Sequence, residues 1–520
     1  MRTITLITLT CLLSLTALAQ ETPYFYTADT LIASGITTDS LKEGDWEYYG
    51  LSGNLIASGN YLGGKKQGAW RFYSDAGELE FLINYKDDQA VDSVKSYYNV
   101  LRLAGKSYLL PDSVLHGLSV YYYFDESVAS RGRFDNGKKE GLWMSYHENG
   151  ELASKEFYIN GKIHGQAEQF DVLGDQLVVA NFDSGALHGA YTRYHHAEKV
   201  AVQGSYDKGK KDSLWLSYHE SGRIESRSSY DKGMPVGLWE NHYPSGRLQS
   251  TERYRDGYAT GVWMSYYLSG RPETMSTYDS GYLHGEYREF FEDSTVSVKG
   301  QFAYDEKTGV WKSYRPDGSL FAAGPYKRGY KSGLWQFFHE SGNYISEEGH
   351  YRSGERAGQW FEFYSNGVAK SIGSYILGQK DGLWGYFYID GSLAYEEQYV
   401  AGALWEVSEY HSPVGDSFAK GDFSNGTGLV IRYFADGVVN SRETYENGVP
   451  QGIWNIYHHN GMLQATGEMK DGLREGRWTF FNSATGKKEM EGEYENGEQV
   501  GRWFYYNRRG KIESSQYFGE

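Results

Sequence analysis

One pattern of apolar and polar positions recurs along the chain, and residues 141–158 show it most completely. An aromatic and apolar run from Trp143 to His147 is followed by Glu148-Asn149-Gly150, and a second run extends from Leu152 to Tyr158. Asn-Gly between two such runs is a strong hairpin signal, because both residues tolerate a positive φ angle. The stretch therefore predicts two antiparallel strands joined by a tight turn.

The pattern returns about every 24 residues, which predicts about 20 hairpin repeats. A glycine follows the position of Trp143 by seven residues in many repeats, and an aromatic residue precedes it by nine. Tryptophan holds the position most often, and these rings are predicted to be structural: Trp46, Trp70, Trp143, Trp215, Trp239, Trp263, Trp311, Trp335, Trp360, Trp384, Trp454, Trp478 and Trp503. Elsewhere the position is held by Val94, Ser119, Ala167, Tyr191, Tyr287, Val407 and Val430.

Each repeat should contribute two strands, and successive repeats should pair edge to edge. The predicted fold is all-β: an elongated, single-layer antiparallel β-hairpin repeat array, twisted or superhelical because neighbouring strands rotate by roughly 20°. Alternate side chains face opposite ways, so Trp143 and Tyr146 are predicted on different faces. Both faces are then expected to carry aromatic ladders, covered by the aliphatic stems of Lys, Arg and Glu. The composition agrees, with 48 Tyr, 24 Phe and 65 Gly but only 9 Pro.

Residues 1–19 have the features of a secretory signal peptide. A basic start at Arg2 precedes an uncharged apolar run from Ile4 to Leu18, and Ala17-Leu18-Ala19 is a suitable cleavage site. The run is short for a transmembrane helix, although a retained anchor is the alternative. The sequence therefore predicts an exported protein that is periplasmic, outer-membrane-associated or secreted.

The rest of the chain divides by the regularity of the repeat. The predicted regions are a degraded N-terminal capping unit at 20–45, regular repeats at 46–398 with an irregular stretch at 85–118, an irregular region at 399–429, and regular repeats with a C-terminal cap at 430–520. The two irregular stretches are interpreted as bends, partner sites or decayed repeats. If a specific function is encoded locally, these are the places to look for it.

Net charge and cysteine content narrow the possible functions. The formal net charge of −17 argues against nucleic acid as a partner and against simple adsorption to anionic lipid, since both require clustered basic residues. Cys11 is the only cysteine and lies inside the predicted signal peptide. The processed chain would therefore have no disulfide, thiolate nucleophile or cysteine zinc site.

The 14 histidines raise the question of a metal site. Four of them lie three residues before the Trp position, in the same predicted turn of different repeats: His116, His164, His188 and His284. Equivalent turns of successive repeats should be about 9.6 Å apart, too far for ligands of one metal ion, so these are predicted turn residues.

Other histidines stand beside glutamate or beside a second histidine. The pairs His147-Glu148, His219-Glu220 and His339-Glu340 resemble a fragment of a metalloprotease motif that lacks its second histidine. The adjacent pairs His195-His196 and His458-His459 are open only to adventitious metal binding. No catalytic, cofactor-binding or metal-ligating residue is therefore predicted, and the protein is not expected to be an enzyme.

The repeat resembles a known family. The order Gly-x-Trp-x-x-Tyr, followed by Tyr-x-x-Gly, is carried by residues 141–146, 230–233, 452–457 and 476–481. It resembles the MORN repeat, in the variant common in bacterial proteins, over nearly all of the chain after the predicted signal peptide. The resemblance implies a scaffold, a dimerisation element or a membrane-associated spacer, and it brings no catalytic residues.

Together these observations predict a non-enzymatic exported repeat protein, an extended scaffold or protein–protein interaction surface in the cell envelope. One alternative is a glycan- or surface-binding adhesin, because exposed Trp and Tyr rings can stack on sugars. Another, implied by the resemblance, is an antitoxin-like or phospholipid-associated MORN protein. The expected partners are proteins of unknown identity and not nucleic acid; membrane association lacks support from the charge, and edge or end-to-end self-association is open.

Overall fold

A computed structural model describes residues 26–27, 30–99, 102–109, 114–340 and 344–519. Most of them lie in β-strands, with one short 3-10 turn at His196–Glu198. The chain divides into a first compact unit, Met1–Leu248 with Tyr254–Tyr258, and a second, Gln249–Arg253 with Ala259–Glu520. The predicted signal peptide at 1–19 lies outside the described residues.

The strands of the first compact unit are mostly six to nine residues long. They are β1 (Tyr26–Thr27), β2 (Thr30–Leu31), β3 (Ala33–Thr38), β4 (Leu41–Tyr49), β5 (Leu55–Leu62), β6 (Lys65–Tyr73), β7 (Leu79–Lys86), β8 (Gln89–Asn99), β9 (Arg102–Leu109), β10 (Leu115–Tyr122), β11 (Val128–Asp135), β12 (Lys138–Tyr146), β13 (Leu152–Ile159), β14 (Lys162–Ile163), β15 (Gly165–Phe170), β16 (Gln176–Asp183), β17 (Ala186–Tyr194), β18 (Val200–Asp207), β19 (Lys210–Tyr218), β20 (Ile224–Asp231) and β21 (Met234–His242). Two strands contain residues of both compact units: β22 (Leu248–Arg255) and β23 (Tyr258–Ala259).

The second compact unit continues the same alternation. Its strands are β24 (Gly261–Tyr266), β25 (Pro272–Asp279), β26 (Tyr282–Phe290), β27 (Val296–Ala303), β28 (Glu306–Tyr314), β29 (Leu320–Lys327), β30 (Tyr330–Lys331), β31 (Gly333–Phe338), β32 (Ile345–Arg352), β33 (Glu355–Phe363), β34 (Ala369–Ile376), β35 (Gln379–Phe387), β36 (Leu393–Val400), β37 (Ala403–Val407), β38 (Tyr410–His411), β39 (Ser417–Phe418), β40 (Gly428–Tyr433), β41 (Val439–Glu446), β42 (Val449–Pro450), β43 (Gly452–Tyr457), β44 (Leu463–Lys470), β45 (Leu473–Phe481), β46 (Lys488–Glu495), β47 (Glu498–Tyr506) and β48 (Ile512–Phe518).

Strands pair antiparallel with the strand before and the strand after them. In the first compact unit the pairing runs from β3 to β21, and in the second it runs to β37 and resumes from β40 to β48. Within each unit, no pairing among the described residues returns from the last strand to the first, so the sheets are open. The predicted all-β hairpin array is confirmed.

The hairpin at residues 141–158 also confirms the predicted turn, with one difference. Its strands β12 and β13 pair from Gly141–Tyr158 to Tyr146–Leu152. In this turn only Gly150 has a positive φ, whereas at the second turn both Asn160 and Gly161 do. The two Asn-Gly pairs therefore form different turn types, which the dipeptide alone does not distinguish.

In ten hairpins the core is a tryptophan indole lying on a glycine of the preceding strand. A Cβ atom added to that glycine would lie 2.0 to 2.3 Å from the indole. This contact occurs at Gly35–Trp46, Gly59–Trp70, Gly132–Trp143, Gly204–Trp215, Gly300–Trp311, Gly324–Trp335, Gly349–Trp360, Gly373–Trp384, Gly467–Trp478 and Gly492–Trp503. All ten of these indoles are at most 5% exposed.

The three remaining repeat tryptophans show that the glycine matters. Trp239, Trp263 and Trp454 are preceded at the same spacing by Ser228, Glu252 and Glu443, and all three indoles are only half-buried. A side chain at this position takes the space that the indole fills elsewhere. The burial of a repeat tryptophan therefore depends on whether a glycine stands eleven residues earlier.

Every repeat tryptophan also forms the same hydrogen bond. Its indole N–H donates to the backbone carbonyl ten residues earlier, at N···O distances of 2.9 to 3.3 Å. In nine repeats a Lys or Arg four residues before the Trp places its cation 4.2 to 4.8 Å from the ring centroid, as Lys380 does over Trp384. The predicted covering of rings by basic side chains is thus present on the face that carries the tryptophans, which we call the Trp face.

The glycine two residues before the Trp has a separate role. Gly141 has a φ of 70° inside strand β12, and the register with β11 shifts at this point. A positive φ without strain requires glycine, and the resulting bulge brings Trp143 over Gly132. The Gly-x-Trp part of the motif is therefore a bulge that seats the indole.

Continuous aromatic contacts occur on the Trp face. Trp46, Tyr61, Trp70 and Tyr85 form a ladder of edge-to-face contacts with centroid separations of 5.0 to 6.4 Å. On the opposite face, the described ring contacts are isolated pairs, because its aromatic residues recur only on every second strand, about 9.6 Å apart. The expectation of ladders on both faces is therefore confirmed for one face only.

The two irregular stretches differ. Across 85–118 the described strands β7, β8, β9 and β10 pair in order, so the sheet continues although tryptophan is missing. Across 399–429 the sheet is interrupted: β38 pairs only with β39, and isolated bridges join Gly421 to Val430 and Ser424 to Thr427. We call this second stretch the joint.

Candidate functional site

The joint contains a buried ionic cluster of Glu397, Arg432 and Glu443. The Arg432 guanidinium lies 2.6 Å from Glu397 Oε1 and 2.9 Å from Glu443 Oε2. Glu397 is 2% exposed and Glu443 is 7% exposed. Glu397 comes from β36, before the interruption of the sheet, whereas Arg432 and Glu443 come from β40 and β41 after it. The cluster therefore connects the two sheets of the second compact unit.

Hydroxyl groups complete the polar contacts of both carboxylates. Tyr399 donates to Glu397 Oε2 at 2.7 Å, and Tyr445 donates to Glu443 Oε2 at 2.9 Å. Ser441 donates to Glu443 Oε1 at 2.7 Å. Arg432 Nη1 also donates to the hydroxyl of Tyr410 at 3.0 Å. Each carboxylate oxygen thus has a partner, which is the condition under which buried charges are tolerated.

The proton affinities in the cluster point to structure rather than to acid–base chemistry. Burial alone raises the pKa of Glu397, but the Arg432 charge and the hydrogen bonds of Tyr399 and Arg432 outweigh it, so the net shift is downward. Burial raises the pKa of Tyr410, and it raises that of Tyr395 to about 12. A general acid or base works best with a pKa near the operating pH. None of these shifts moves a pKa toward neutral pH. The cluster therefore holds the joint together and does not transfer protons.

Apolar packing surrounds the cluster. Leu404, Val407, Phe423 and Val430 are at most 3% exposed, and Tyr410 is 1% exposed. Val407 and Val430 stand in the repeat position, so the two irregular repeats bury an aliphatic side chain where the others bury an indole. The ionic cluster was not predicted from the sequence. The feature that could have indicated it is a charged residue, Arg432, two positions after Val430 and hence on the buried face.

The histidines beside glutamates, together with the first histidine of each adjacent pair, connect neighbouring hairpins. In each case Nε2 donates to a backbone carbonyl of the next hairpin at 2.7 to 3.0 Å: His147 to Phe170, His195 to Tyr218, His219 to His242, His339 to Phe363 and His458 to Phe481. Tyrosine hydroxyls make the same bond in other repeats, as from Tyr267 to Phe290. These residues are structural links between repeats, which accounts for their regular spacing.

Removal of one such link should loosen one junction only. A His219→Ala variant is expected to lose about 1 kcal/mol locally, the usual net contribution of one hydrogen bond. Hydrogen–deuterium exchange should then accelerate in the turns that follow β19 and β21. A His219→Tyr variant is the control, since tyrosine serves the same purpose at Tyr267. Unchanged exchange in His219→Ala would show that the link contributes no stability.

Three of the four histidines that lie three residues before the Trp position contact an aspartate of the adjacent strand. Nδ1 lies 3.1 Å from Asp135 in His116, 3.5 Å from Asp183 in His164 and 3.3 Å from Asp207 in His188. His284 has Ala303 at the equivalent position, and its ring instead contacts Tyr304 at a centroid distance of 4.8 Å. Three of the four lie at strand starts rather than in turns, because the strands begin earlier than predicted.

One group of side chains offers three metal-ligand atoms within 4.8 Å of one another: Asp171, Asp175 and His196. His196 Nδ1 lies 3.4 Å from Asp175 and 4.0 Å from Asp171. Asp171 Oδ1 already accepts the backbone N–H groups of Leu173 and Asp175. The sequence singles out His196 beside His195 but not the two aspartates, and these contacts join two turns.

Another buried carboxylate lies near the C-terminal end of the described chain. Glu491 is 4% exposed and lies 2.7 Å from Lys488 Nζ and 2.8 Å from Arg477 Nη2. Burial alone raises its pKa, but hydrogen bonds from Lys488 and Tyr506 and the Arg477 charge outweigh burial and lower the pKa to about 2. The carboxylate therefore stabilises the fold in its charged form.

This shift predicts a pH dependence with a defined sign. The folded-state pKa of Glu491 lies below the ordinary value for glutamate, so its stabilisation is complete above about pH 5 and is lost as the pH falls toward about 2. The Glu491→Gln variant should be less stable than the parent at neutral pH, and the difference should shrink through this window. Urea unfolding at several pH values measures it. A difference that does not change with pH would contradict the prediction.

Comparison with known proteins identifies the repeat. The family model of the MORN repeat variant matches residues 66–87 and 139–160. The chain is therefore a MORN repeat protein, as its motif predicted. No curated protein sequence is significantly similar to it.

Solved structures that align with the chain belong to much larger proteins. A crystal structure of TcdB2–TccC3–Cdc42 aligns with a TM-score of 0.11 and 10% identity, over 91% of this chain and 31% of the other. A Photorhabdus luminescens Tc holotoxin pore aligns with a TM-score of 0.12 and 11% identity, over 91% of this chain and 30% of the other. The chain spans less than a third of those proteins, and TM-scores this low support no argument about fold or function.

Within the described ranges, no helical segment has the length and apolar character that a membrane span requires.

Proposed function

We propose that this protein is a non-enzymatic, exported repeat protein that acts as an extended scaffold or protein-binding surface in the cell envelope. The observation that carries the proposal is the role of the side chains that recur from repeat to repeat. The repeat tryptophans, the glycines beneath them and the linking histidines all hold one hairpin to the next. A repeat array of this kind presents a long surface and is stable by the sum of its neighbour contacts.

The most unusual polar group supports the same proposal. In the ionic cluster the carboxylates of Glu397 and Glu443 are occupied by Arg432 and by hydroxyl groups. This arrangement stiffens the joint between two sheets and offers no free nucleophile or base. A stiff connection between repeat arrays suits a scaffold, whose binding surfaces must keep fixed positions.

Export and binding are tested together by fractionation and cross-linking. The natural protein should be found outside the cytoplasm with its first residues removed after Ala19, and cross-linking in intact cells should join its repeat surface to a defined envelope protein. Full-length uncleaved protein in the cytoplasm would overturn export. Turnover of a substrate by purified protein, abolished by substitution at a single site, would overturn the non-enzymatic role.

A further inference from the structure

A row of basic side chains crosses the first compact unit on the face opposite the Trp face. The row takes one residue from each of eight successive paired strands. In order across the sheet, its members are Arg71, Leu82, Lys95, Lys106, Val120, Arg131, Met144 and Lys155. Five of the eight are cations and none is acidic. We call this set the basic row.

The strand register places these residues side by side. Lys95 is paired directly with Lys106, and Val120 is paired with both Lys106 and Arg131. At about 4.8 Å per strand, the row is about 34 Å long from Arg71 to Lys155. The members are separated in sequence by about 11 to 14 residues, so the row exists only because the hairpins pair in this register.

Each member of the row follows or precedes a residue that faces the core, which fixes its orientation. Arg71 follows the buried Trp70, Val120 follows the buried Ser119, and Met144 follows the buried Trp143. Because alternate side chains point to opposite faces, the row lies on the face away from the indoles. Arg71 and Arg131 are exposed, and Lys95 and Lys106 are half-exposed.

Within the described residues, carboxylates neutralise only the end of the row. Lys155 lies 3.8 Å from Glu168. The Arg131 guanidinium lies 5.6 Å from the Tyr146 ring centroid, and Lys106 lies 5.4 Å from that of Tyr108. Like charges directly opposite each other in a sheet are destabilising. The repulsion between Lys95 and Lys106 thus destabilises the sheet, and a bound anion would remove this repulsion.

Tyrosines run beside the basic row. Tyr73, Tyr97, Tyr122 and Tyr146 lie two residues after row positions on β6, β8, β10 and β12, and all four are partly exposed. The Tyr146 hydroxyl donates a hydrogen bond to Sδ of the row residue Met144 at 3.4 Å. This tyrosine and the row therefore lie on the same face. The tyrosines recur on every second strand, at about 9.6 Å. A ligand lying along the row would meet cations on one side and aromatic rings on the other.

We infer that the basic row binds a linear anionic polysaccharide laid across the strands. Its cations lie on β6, β8, β9, β11 and β13. Lys95 and Lys106 are on neighbouring strands, and the other three intervals are two strands, or about 9.6 Å. This interval suits a chain that carries one carboxylate or sulfate per disaccharide, with sugar rings stacked on the tyrosines. The inference goes beyond the scaffold role and requires only the folded first compact unit.

The charge density of the row favours a polysaccharide over nucleic acid. A strand of DNA carries one charge per about 3.4 Å, about two and a half times the density of the cations of the row, which are about 8.4 Å apart on average. The net charge of −17 does not exclude the ligand, because surface charges beyond about 8 Å are largely screened at physiological salt. The charges of the row itself therefore decide binding, and the net charge of the whole chain does not reveal them.

The experiment measures binding of full-length protein to hyaluronan, a linear polysaccharide with one carboxylate per disaccharide. The test variant is Lys95→Gln, Lys106→Gln and Arg131→Gln together. The matched control is Lys138→Gln, Lys162→Gln and Lys210→Gln, which removes three charges from exposed positions at the turns of the same unit. Isothermal titration calorimetry at low and physiological salt gives the affinities, and circular dichroism confirms folding of both variants.

We expect the test variant to bind at least about tenfold more weakly than the parent, and the control variant to stay within about twofold. Neutral dextran should not bind. Absence of hyaluronan binding by the parent, or equal weakening in both variants, would overturn the inference. Tighter binding to single-stranded DNA or to phosphatidylglycerol vesicles than to hyaluronan would also overturn it. None of these results would bear on export or on binding to envelope proteins, so the scaffold proposal is tested separately.

Discussion

A Gly373→Val variant is expected to lose about 3 kcal/mol or more of the stability of its hairpin, the upper range for overpacking a core. A Cβ atom at Gly373 would lie 2.0 Å from Trp384 Cδ2, and the backbone there is extended, so the penalty is steric rather than conformational. The indole cannot retreat without breaking its N–H bond to the carbonyl of Ser374. Hydrogen exchange of β34 and β35, with denaturant unfolding, measures the loss.

A double-mutant cycle provides the control. Trp384→Ala removes the indole, and in that background Gly373→Val should cost far less than it does alone. The difference isolates the glycine–indole contact from any general effect of valine. Equal cost in both backgrounds would show that the contact does not limit stability, and that the deep burial of ten repeat tryptophans has another cause.

An Arg432→Met variant is expected to lose about 3 to 5 kcal/mol at the joint, because it leaves two buried carboxylates without their cation. Glu397 Oε1 and Glu443 Oε2 would each lose a short charged hydrogen bond. Both carboxylates would remain far from water. Exchange of amides in β36, β40 and β41, read together with urea unfolding, should show the two sheets separating before the rest of the array opens.

The control removes the charges as well as the cation. A triple variant, Arg432→Met with Glu397→Gln and Glu443→Gln, should recover most of the lost stability, since no buried charge remains unpaired. The loss in Arg432→Met should also shrink as the pH falls toward the ordinary glutamate value of about 4.3, because protonation then neutralises the carboxylates. An Arg432→Met variant as stable as the parent at neutral pH would refute the structural role of the ionic cluster.

Local features of the fold were accessible from the sequence because they depend on neighbours in the chain. The hairpin at 141–158 follows from two apolar runs around Asn149-Gly150. The 24-residue period follows from counting, and burial of Trp143 follows from its repetition. The glycine that lies beneath each of the ten deeply buried indoles was not predicted from the sequence. Gly132 lies in a strand and not in a turn, where glycine is usually sought, so its contact with Trp143 was hidden.

The candidate sites were less accessible. Glu397 and Arg432 are 35 residues apart, and a broken repeat period between them removed the register that would have paired them. The histidines raised the question of a metal site. Their hydrogen-bond partners are instead backbone carbonyls of the next hairpin, which no residue pattern marks. The histidine residue type therefore suggested metal sites at positions where the structure has hydrogen bonds between hairpins.

The sequence by itself determined the all-β class, the hairpin repeat and the identity of the core tryptophans, since turn chemistry and strand alternation are properties of short segments. Only the tertiary structure decided which residues stand side by side. A shift of one residue in register moves every side chain of a strand to the other face. The basic row from Arg71 to Lys155 and the joint held by Arg432 both depend on that register, and whole-chain charge and spacing do not contain it.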